Sequence, residues 1–193
     1  MKNYPFYLLF CLFSTAAVGQ EPAQNGVRIM TPLIFTTIEY DNASIFASST
    51  ARLGVQLGIY RHWPVKPWFS VKGELNYSLS GYTSGVDSIS MNIRKINYHY
   101  LGATLLPAFH AGQVVSFQTG IAANYLFNSP PLAPVFTSST PRLDFAVVAG
   151  ISLRYDQLEV QVRYHHSMLP FTPEGPTKAL FRSLGLGLGY YFN

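Results

Sequence analysis

Ser183-Leu184-Gly185-Leu186-Gly187-Leu188-Gly189-Tyr190-Tyr191-Phe192 alternates without a break. Successive side chains of an extended strand point to opposite faces. Leu184, Leu186, Leu188, Tyr190 and Phe192 therefore share one face, and Ser183, Gly185, Gly187, Gly189 and Tyr191 share the other. One face is greasy and the other nearly bare. Such a ribbon suits a soluble sandwich with its apolar face inward, or a membrane strand with that face against lipid. The choice rests on the rest of the chain.

The same period recurs upstream. Leu53, Val55, Leu57 and Ile59 oppose Arg52, Gly54, Gln56, Gly58 and Tyr60, while Phe69, Val71, Leu75, Tyr77 and Leu79 oppose Ser70, Lys72, Glu74, Asn76, Ser78 and Ser80. Phe117 to Phe127, Phe145 to Tyr155 and Leu158 to Tyr164 repeat it. Val27 to Ile38 is apolar on both faces and holds Pro32; Ile93 to Leu106 changes register near Tyr100, as a bulge would make it do. That makes eight strands of about 11–14 residues each, against ~5–6 for soluble proteins and ~9–11 needed within lipid. The links alternate long and short: Glu39 to Thr50, Gly81 to Asn92, Asn128 to Pro141 and Pro170 to Thr177 are long, and His62 to Pro67, Pro107 to Gln113 and Asp156-Gln157 are short. Outer-membrane barrels have that rhythm, with the short turns periplasmic. The reading is an all-β, eight-stranded antiparallel up-and-down transmembrane β-barrel, with lipid against its greasy faces and both termini in the periplasm. Tyr60, Trp63, Trp68 and Tyr155 would gird the periplasmic rim, and Tyr77, Tyr82, Tyr125, Phe127 and Tyr164 the outer one.

Composition points the same way. Of 193 residues, 11% are charged, 15% aromatic and 48% hydrophobic. Soluble domains carry about 25% charge, and disorder needs high charge with few aromatics. The net charge of +4 is spread thinly, with no basic run, which excludes a nucleic-acid partner.

Residues 1–19 read as a secretory signal peptide: Lys2, the apolar run Phe6 to Phe13, then Ala17-Val18-Gly19 as a small-x-small cleavage site. The barrel domain is then 20–193. The lone cysteine, Cys11, lies in the signal with Phe10 before it, which is not a lipoprotein pattern. The mature chain has no thiol chemistry.

With the strands laid out, the chain resembles the PorT-type outer-membrane β-barrel family of Gram-negative envelopes. Tyr100-Leu101-Gly102-Ala103-Thr104-Leu105-Leu106 falls where that family has Tyr-Leu-Glu-Ile-Pro-Leu-Leu, with Gly102 and Thr104 replacing Glu and Pro. Asp144 to Gly150 and Val162 to Met168 resemble its closing hairpin, and Leu184 to Phe192 its last strand. The resemblance implies insertion by the barrel-assembly machinery. Gly187, Tyr190 and Phe192 would be the assembly signal, although Asn193 follows the final aromatic. It also implies an envelope role, which for some relatives is protein secretion or gliding.

A charge facing lipid costs ~2–4 kcal/mol at the midplane, so Arg52, Lys72, Glu74, Arg154, Glu159, Arg163 and His165 are expected in the lumen. Lys72–Glu74 and Glu159–Arg163 would pair as neighbours on their strand faces, making a salt-bridged plug. A narrow polar pore lined by Gly54, Gly58, Gly120, Gly150, Gly185, Gly187 and Gly189 is the alternative. His165 and Ser167 share a strand face, the spacing of a base and nucleophile in lipid-A-modifying hydrolases, with Glu159 or Glu174 to orient the base. No oxyanion site or acyl groove accompanies them. His62, His99, His110, His165 and His166 scatter without metal-ligand spacing, so no cofactor is expected. Asn42-Ala43-Ser44 and Asn76-Tyr77-Ser78 match a glycosylation pattern by chance. Pro130, Pro131, Pro134 and Pro141 stiffen an apolar loop suited either to an envelope partner or to covering the barrel mouth. The expected function is a non-catalytic structural or interaction role.

Overall fold

The computed structural model describes residues 22–40, 43–48, 51–84, 94–128, 143–169 and 177–192. The signal segment, most of the three later long links and Glu174 lie outside them.

Ten strand segments build the chain: β1 (Gln24–Tyr40), β2 (Ala43–Ser48), β3 (Arg52–Leu53), β4 (Val55–Lys66), β5 (Phe69–Ser84), β6 (Arg94–Ala111), β7 (Val115–Asn128), β8 (Leu143–Tyr155), β9 (Leu158–Ser167) and β10 (Thr177–Phe192). Segments β2, β3 and β4 follow one another along β1, from Thr37↔Ser48 through Leu33↔Leu53 to Gln24↔His62, and make one stave. Every other strand pairs antiparallel with its sequence neighbour, and β10 returns to β1 from Asn25↔Phe192 to Tyr40↔Thr177. The sheet closes on itself as an eight-staved barrel, which leaves no edge strand unpaired.

The strands outrun several expected links. β4 continues through His62 to Lys66, leaving Pro67-Trp68 as the turn, and β6 continues to Ala111. Much of the expected first loop is hairpin, because Ala43–Ser48 pairs back onto the end of β1 and satisfies its backbone groups. Likewise β5 and β6 stay paired out to Ser84↔Arg94. The register of β6 on β7 shifts between His99 and Tyr100, where the pattern predicted a change. The short turns use residues that tolerate positive φ, Gly112 at 77° and Asp156 at 53°.

The two faces have opposite character. Ile29, Leu57, Ile59, Leu75, Leu105, Ile121, Ile151, Leu186 and Leu188 all stand exposed outside. Inside, buried, are Arg28, Gln56, Lys72, Glu74, Asn76, Gln118, Glu159, Gln161 and Arg163, with a small apolar cluster of Leu106, Ala122, Ala146 and Val148. This inverts the arrangement of a water-soluble barrel. β1 also proves two-faced, with Val27, Ile29 and Phe35 outward and Arg28, Met30 and Ile34 buried. Trp63, Trp68 and Tyr155 are exposed near the short turns, and Tyr125, Phe127 and Tyr164 toward the opposite end. Tyr60 corrects the girdle reading: it is buried in the lumen, edge-to-face with Tyr191 at 5.0 Å.

Candidate functional site

The pleat of β5 turns Ser70, Lys72, Glu74, Asn76 and Ser78 inward, and the lumen is narrow enough for them to reach the far wall. Glu74 is the hub. Its Oε2 accepts from Arg28 Nη1 and Arg163 Nη1, both at 2.7 Å, and its Oε1 accepts from Arg163 Nη2 at 2.7 Å. Arg28 also donates to Asn76 Oδ1 at 2.7 Å, and Arg163 to Gln118 Oε1 at 3.0 Å.

One layer nearer the short turns, Lys72 Nζ donates to both oxygens of Glu159, at 2.8 and 2.7 Å. Gln118 bridges the layers by donating to Ser152 Oγ at 2.9 Å and Glu159 Oε1 at 3.2 Å. Tyr191 donates to Glu159 Oε2 at 3.3 Å, and Lys72 Nζ stands 4.9 Å from the Tyr60 ring centre. Ion pairs stripped of water recover their desolvation cost only when the remaining polar atoms are bonded as well. Here all four carboxylate oxygens accept at least one hydrogen bond, while Arg28 Nε and Arg163 Nε stay unpartnered.

The expected pairs were neighbours on one strand, and the structure exchanges them. Residues two apart on a strand project in parallel, so Lys72 crosses to Glu159 on β9, and Glu74 crosses to Arg163. Arg28, the third cation, was hidden by reading β1 as uniformly apolar. A lone charge at every-second-residue spacing from Met30 was the available signal. Arg52 lies off the ladder, half-buried, with its guanidinium on Asn97 Oδ1 at 2.6 Å. Arg154 stacks over Tyr191, its Cζ 3.9 Å from the ring centre, and its Nε donates to the Asp156 carbonyl at 3.0 Å. Gly187 faces inward against the Gln161 side chain, while Tyr190 and Phe192 face outward, edge-to-face at 5.6 Å.

His165 and Ser167 do share the inward face, at the end away from the short turns. Ser167 Oγ donates to Asp144 Oδ1 on β8, and Asn124 also donates to Asp144, at 3.3 Å. The His165 Nε2 has no partner. Glu159, expected as an orienter of that imidazole, is instead held by Lys72. His62 and His110, expected apart, come together with ring centres 6.0 Å apart. Among the described residues no three His, Cys, Asp or Glu side chains are grouped to hold a metal.

Among the described residues, a cavity lies toward each end of the lumen. One of about 90 Å³ touches Met30, Tyr100, Asp144, His165 and Ser167; the other, of about 550 Å³, opens at the short turns over Lys72 and Glu159. Neither is lined by Glu74 or Arg163, which lie buried between them.

No family model matches the chain, and no curated protein matches it in sequence. Solved structures do match in fold. Neisserial surface protein A superposes with a TM-score of 0.55 at 13% identity, over 89% of this chain and 100% of that one. Ail, the attachment invasion locus protein of Yersinia pestis, gives 0.49 at 15% identity, over 88% and 99%. The outer membrane protein OprG of Pseudomonas aeruginosa gives 0.45 at 14%, over 88% and 97%. The chain has the closed eight-stranded antiparallel fold of small outer-membrane β-barrels.

Proposed function

We propose that this chain is an integral outer-membrane protein of PorT type, with a closed lumen and a non-catalytic structural or interaction role in the envelope. Both termini would be periplasmic and the long links external. The observation that carries this reading is Glu74 held between Arg28 and Arg163 in the middle of the barrel. A conducting pore would need that crossing to open, and each cation is anchored by further side chains. The outward leucines, isoleucines and tryptophans support burial in hydrocarbon. Gly187, Tyr190 and Phe192 serve in this reading as the signal to the barrel-assembly machinery. Ser167 argues for a non-catalytic role, because its hydroxyl is spent on Asp144 while the nearby imidazole of His165 stands unpartnered. A nucleophile requires the opposite pairing.

Purified protein in planar bilayers tests the closed lumen. No stepwise current is expected; steps abolished by Gly187→Trp would establish a pore instead. Lipid A from expressing cells, analysed by mass spectrometry, tests the chemistry. Its acylation should match that from cells expressing Ser167→Ala, and a difference would overturn the non-catalytic reading. Cosedimentation with outer rather than inner membrane on a density gradient tests the location.

A further inference from the structure

We propose that the short-turn mouth of the barrel is a binding site for a small dissolved oxyanion of the phosphate or carboxylate class. The cavity there measures about 550 Å³, and the Lys72–Glu159 pair forms its floor. It is a dead end, so whatever enters must bind or leave by the same opening.

The charges on its wall are unbalanced. Among the described residues, Lys72 and Arg154 line it against a single carboxylate, Glu159, while the Lys66 ammonium lies 5.5 Å from the outward-facing Trp68 ring. That carboxylate is already consumed, since both its oxygens take Lys72 and each takes a further donor, Gln118 or Tyr191. Among the described residues no carboxylate pairs with Arg154, whose only hydrogen bond goes from Nε to a backbone carbonyl. Its Cζ stands 3.9 Å over the centre of the Tyr191 ring, and the terminal nitrogens of a guanidinium form a planar fork. A fork of that kind matches the two oxygens of a carboxylate or phosphate. A recess with a surplus of one sign of charge also concentrates the opposite ion.

An independent feature lies on the same wall. His62 lines the cavity, is only 7% exposed, and its buried Nδ1 has no hydrogen-bond partner. Buried ring nitrogens are ordinarily bonded, and an exception calls for a missing partner. His110 beside it is already committed through Nε2 to Ser70 Oγ at 2.7 Å. With its ring turned to bring a protonated Nδ1 to the cavity, His62 would donate to an oxyanion held by Arg154. A metal cation fits poorly against the two cations, Lys72 and Arg154.

The test uses the full chain in phosphatidylcholine nanodiscs with labelled histidine rings. Inorganic phosphate is titrated against sodium chloride at equal ionic strength and pH. The ring signals of His62 and His110 should move saturably with phosphate, and those of His165 and His166 at the far end should stay. Arg154→Gln should raise the half-saturation concentration by about tenfold or more, and Arg154→Lys, which keeps the charge without the fork, should fall between that and the parent. His62→Phe, read on the His110 ring, is the second variant and should also weaken the response. Linear shifts reproduced by chloride, or an unchanged titration in Arg154→Gln, would overturn the proposal. Shifts produced by phosphatidylglycerol in the disc without added phosphate would overturn it too, by making a lipid headgroup the source.

Discussion

Glu74 and Arg163, 89 positions apart in the chain, meet across the lumen in a two-pronged ion pair with both N···O distances at 2.7 Å. Their strands, β5 and β9, are not neighbours, since β6, β7 and β8 stand between them around the wall. The contact therefore joins opposite sides of the barrel rather than adjacent staves. Paired carboxylate and guanidinium forks are directional as well as strong, so this one fixes how the two walls face each other. Arg28, arriving on the same Oε2 from β1, adds a third wall.

Removing one partner of such a pair leaves a buried charge stranded, a loss of about 3–5 kcal/mol, whereas removing both is far milder. Lys72→Met and Glu159→Gln should each destabilise the barrel by about that amount. The double variant should cost less than the sum by about 1 kcal/mol or more. Urea unfolding from phospholipid vesicles, followed by tryptophan emission, measures all three. Strict additivity would mean that the pair contributes nothing as a pair.

The outward assignment has its own test. Ile121 sits halfway along β7 and is 63% exposed on the outer face, while Leu158 begins β9 beside a short turn. In a bilayer the cost of an arginine depends on depth, about 2–4 kcal/mol at the midplane and about 0–1 near the interface. Ile121→Arg should therefore cost several times more than Leu158→Arg in vesicle unfolding. Equal costs would mean that the outer face does not meet hydrocarbon.

How much of this was legible in the sequence depends on the kind of contact. The strands were, because alternation is local: the glycines and leucines of β10 declare their faces within ten residues, and strand length with the long–short rhythm of the links pointed to a barrel. The bulge near Tyr100 was visible for the same reason. The pairing inside the lumen was not. Lys72 and Glu74 are adjacent on their face, and nothing local says that each looks past the other to β9. That outcome depends on barrel diameter and strand stagger, which emerge only when all the staves close. Arg28 was obscured by the apolar company of Val27, Ile29 and Met30. His62 and His110, 48 residues apart in the chain, meet because β4 and β6 flank β5 and both residues sit at the short-turn end of the lumen.

The chain holds two tryptophans, Trp63 and Trp68, so its fluorescence reports one place. Both face outward near the short turns, 40% and 54% exposed, with Arg61 6.0 Å from the Trp63 ring and Lys66 Nζ 5.5 Å from that of Trp68. Cations beside indoles suit the headgroup level, where the ring is in contact with lipid and the charge with water. Lipids brominated high on the acyl chain should quench this emission more than lipids brominated near the methyl end. The reverse order would place this rim deep in the bilayer.

Gly120 and Gly102 make the sharpest comparison, because a methyl group at each meets a different obstacle. At Gly120 the new carbon would collide with the carbonyl oxygen of Leu105, which belongs to the neighbouring strand and cannot turn aside. At Gly102 the close contact is Asn124 Oδ1, the end of a side chain that can rotate, and the nearest backbone atom is 3.4 Å away. Forcing volume into a packed wall costs about 1–3 kcal/mol, while replacing glycine within a strand recovers about 0.5–1 kcal/mol of chain entropy. Gly120→Ala should thus destabilise by about 2 kcal/mol, and Gly102→Ala should come out close to neutral. Vesicle unfolding of the two variants side by side decides the matter. A Gly120→Ala barrel as stable as the parent would mean that β6 and β7 approach each other less closely at Leu105 than described.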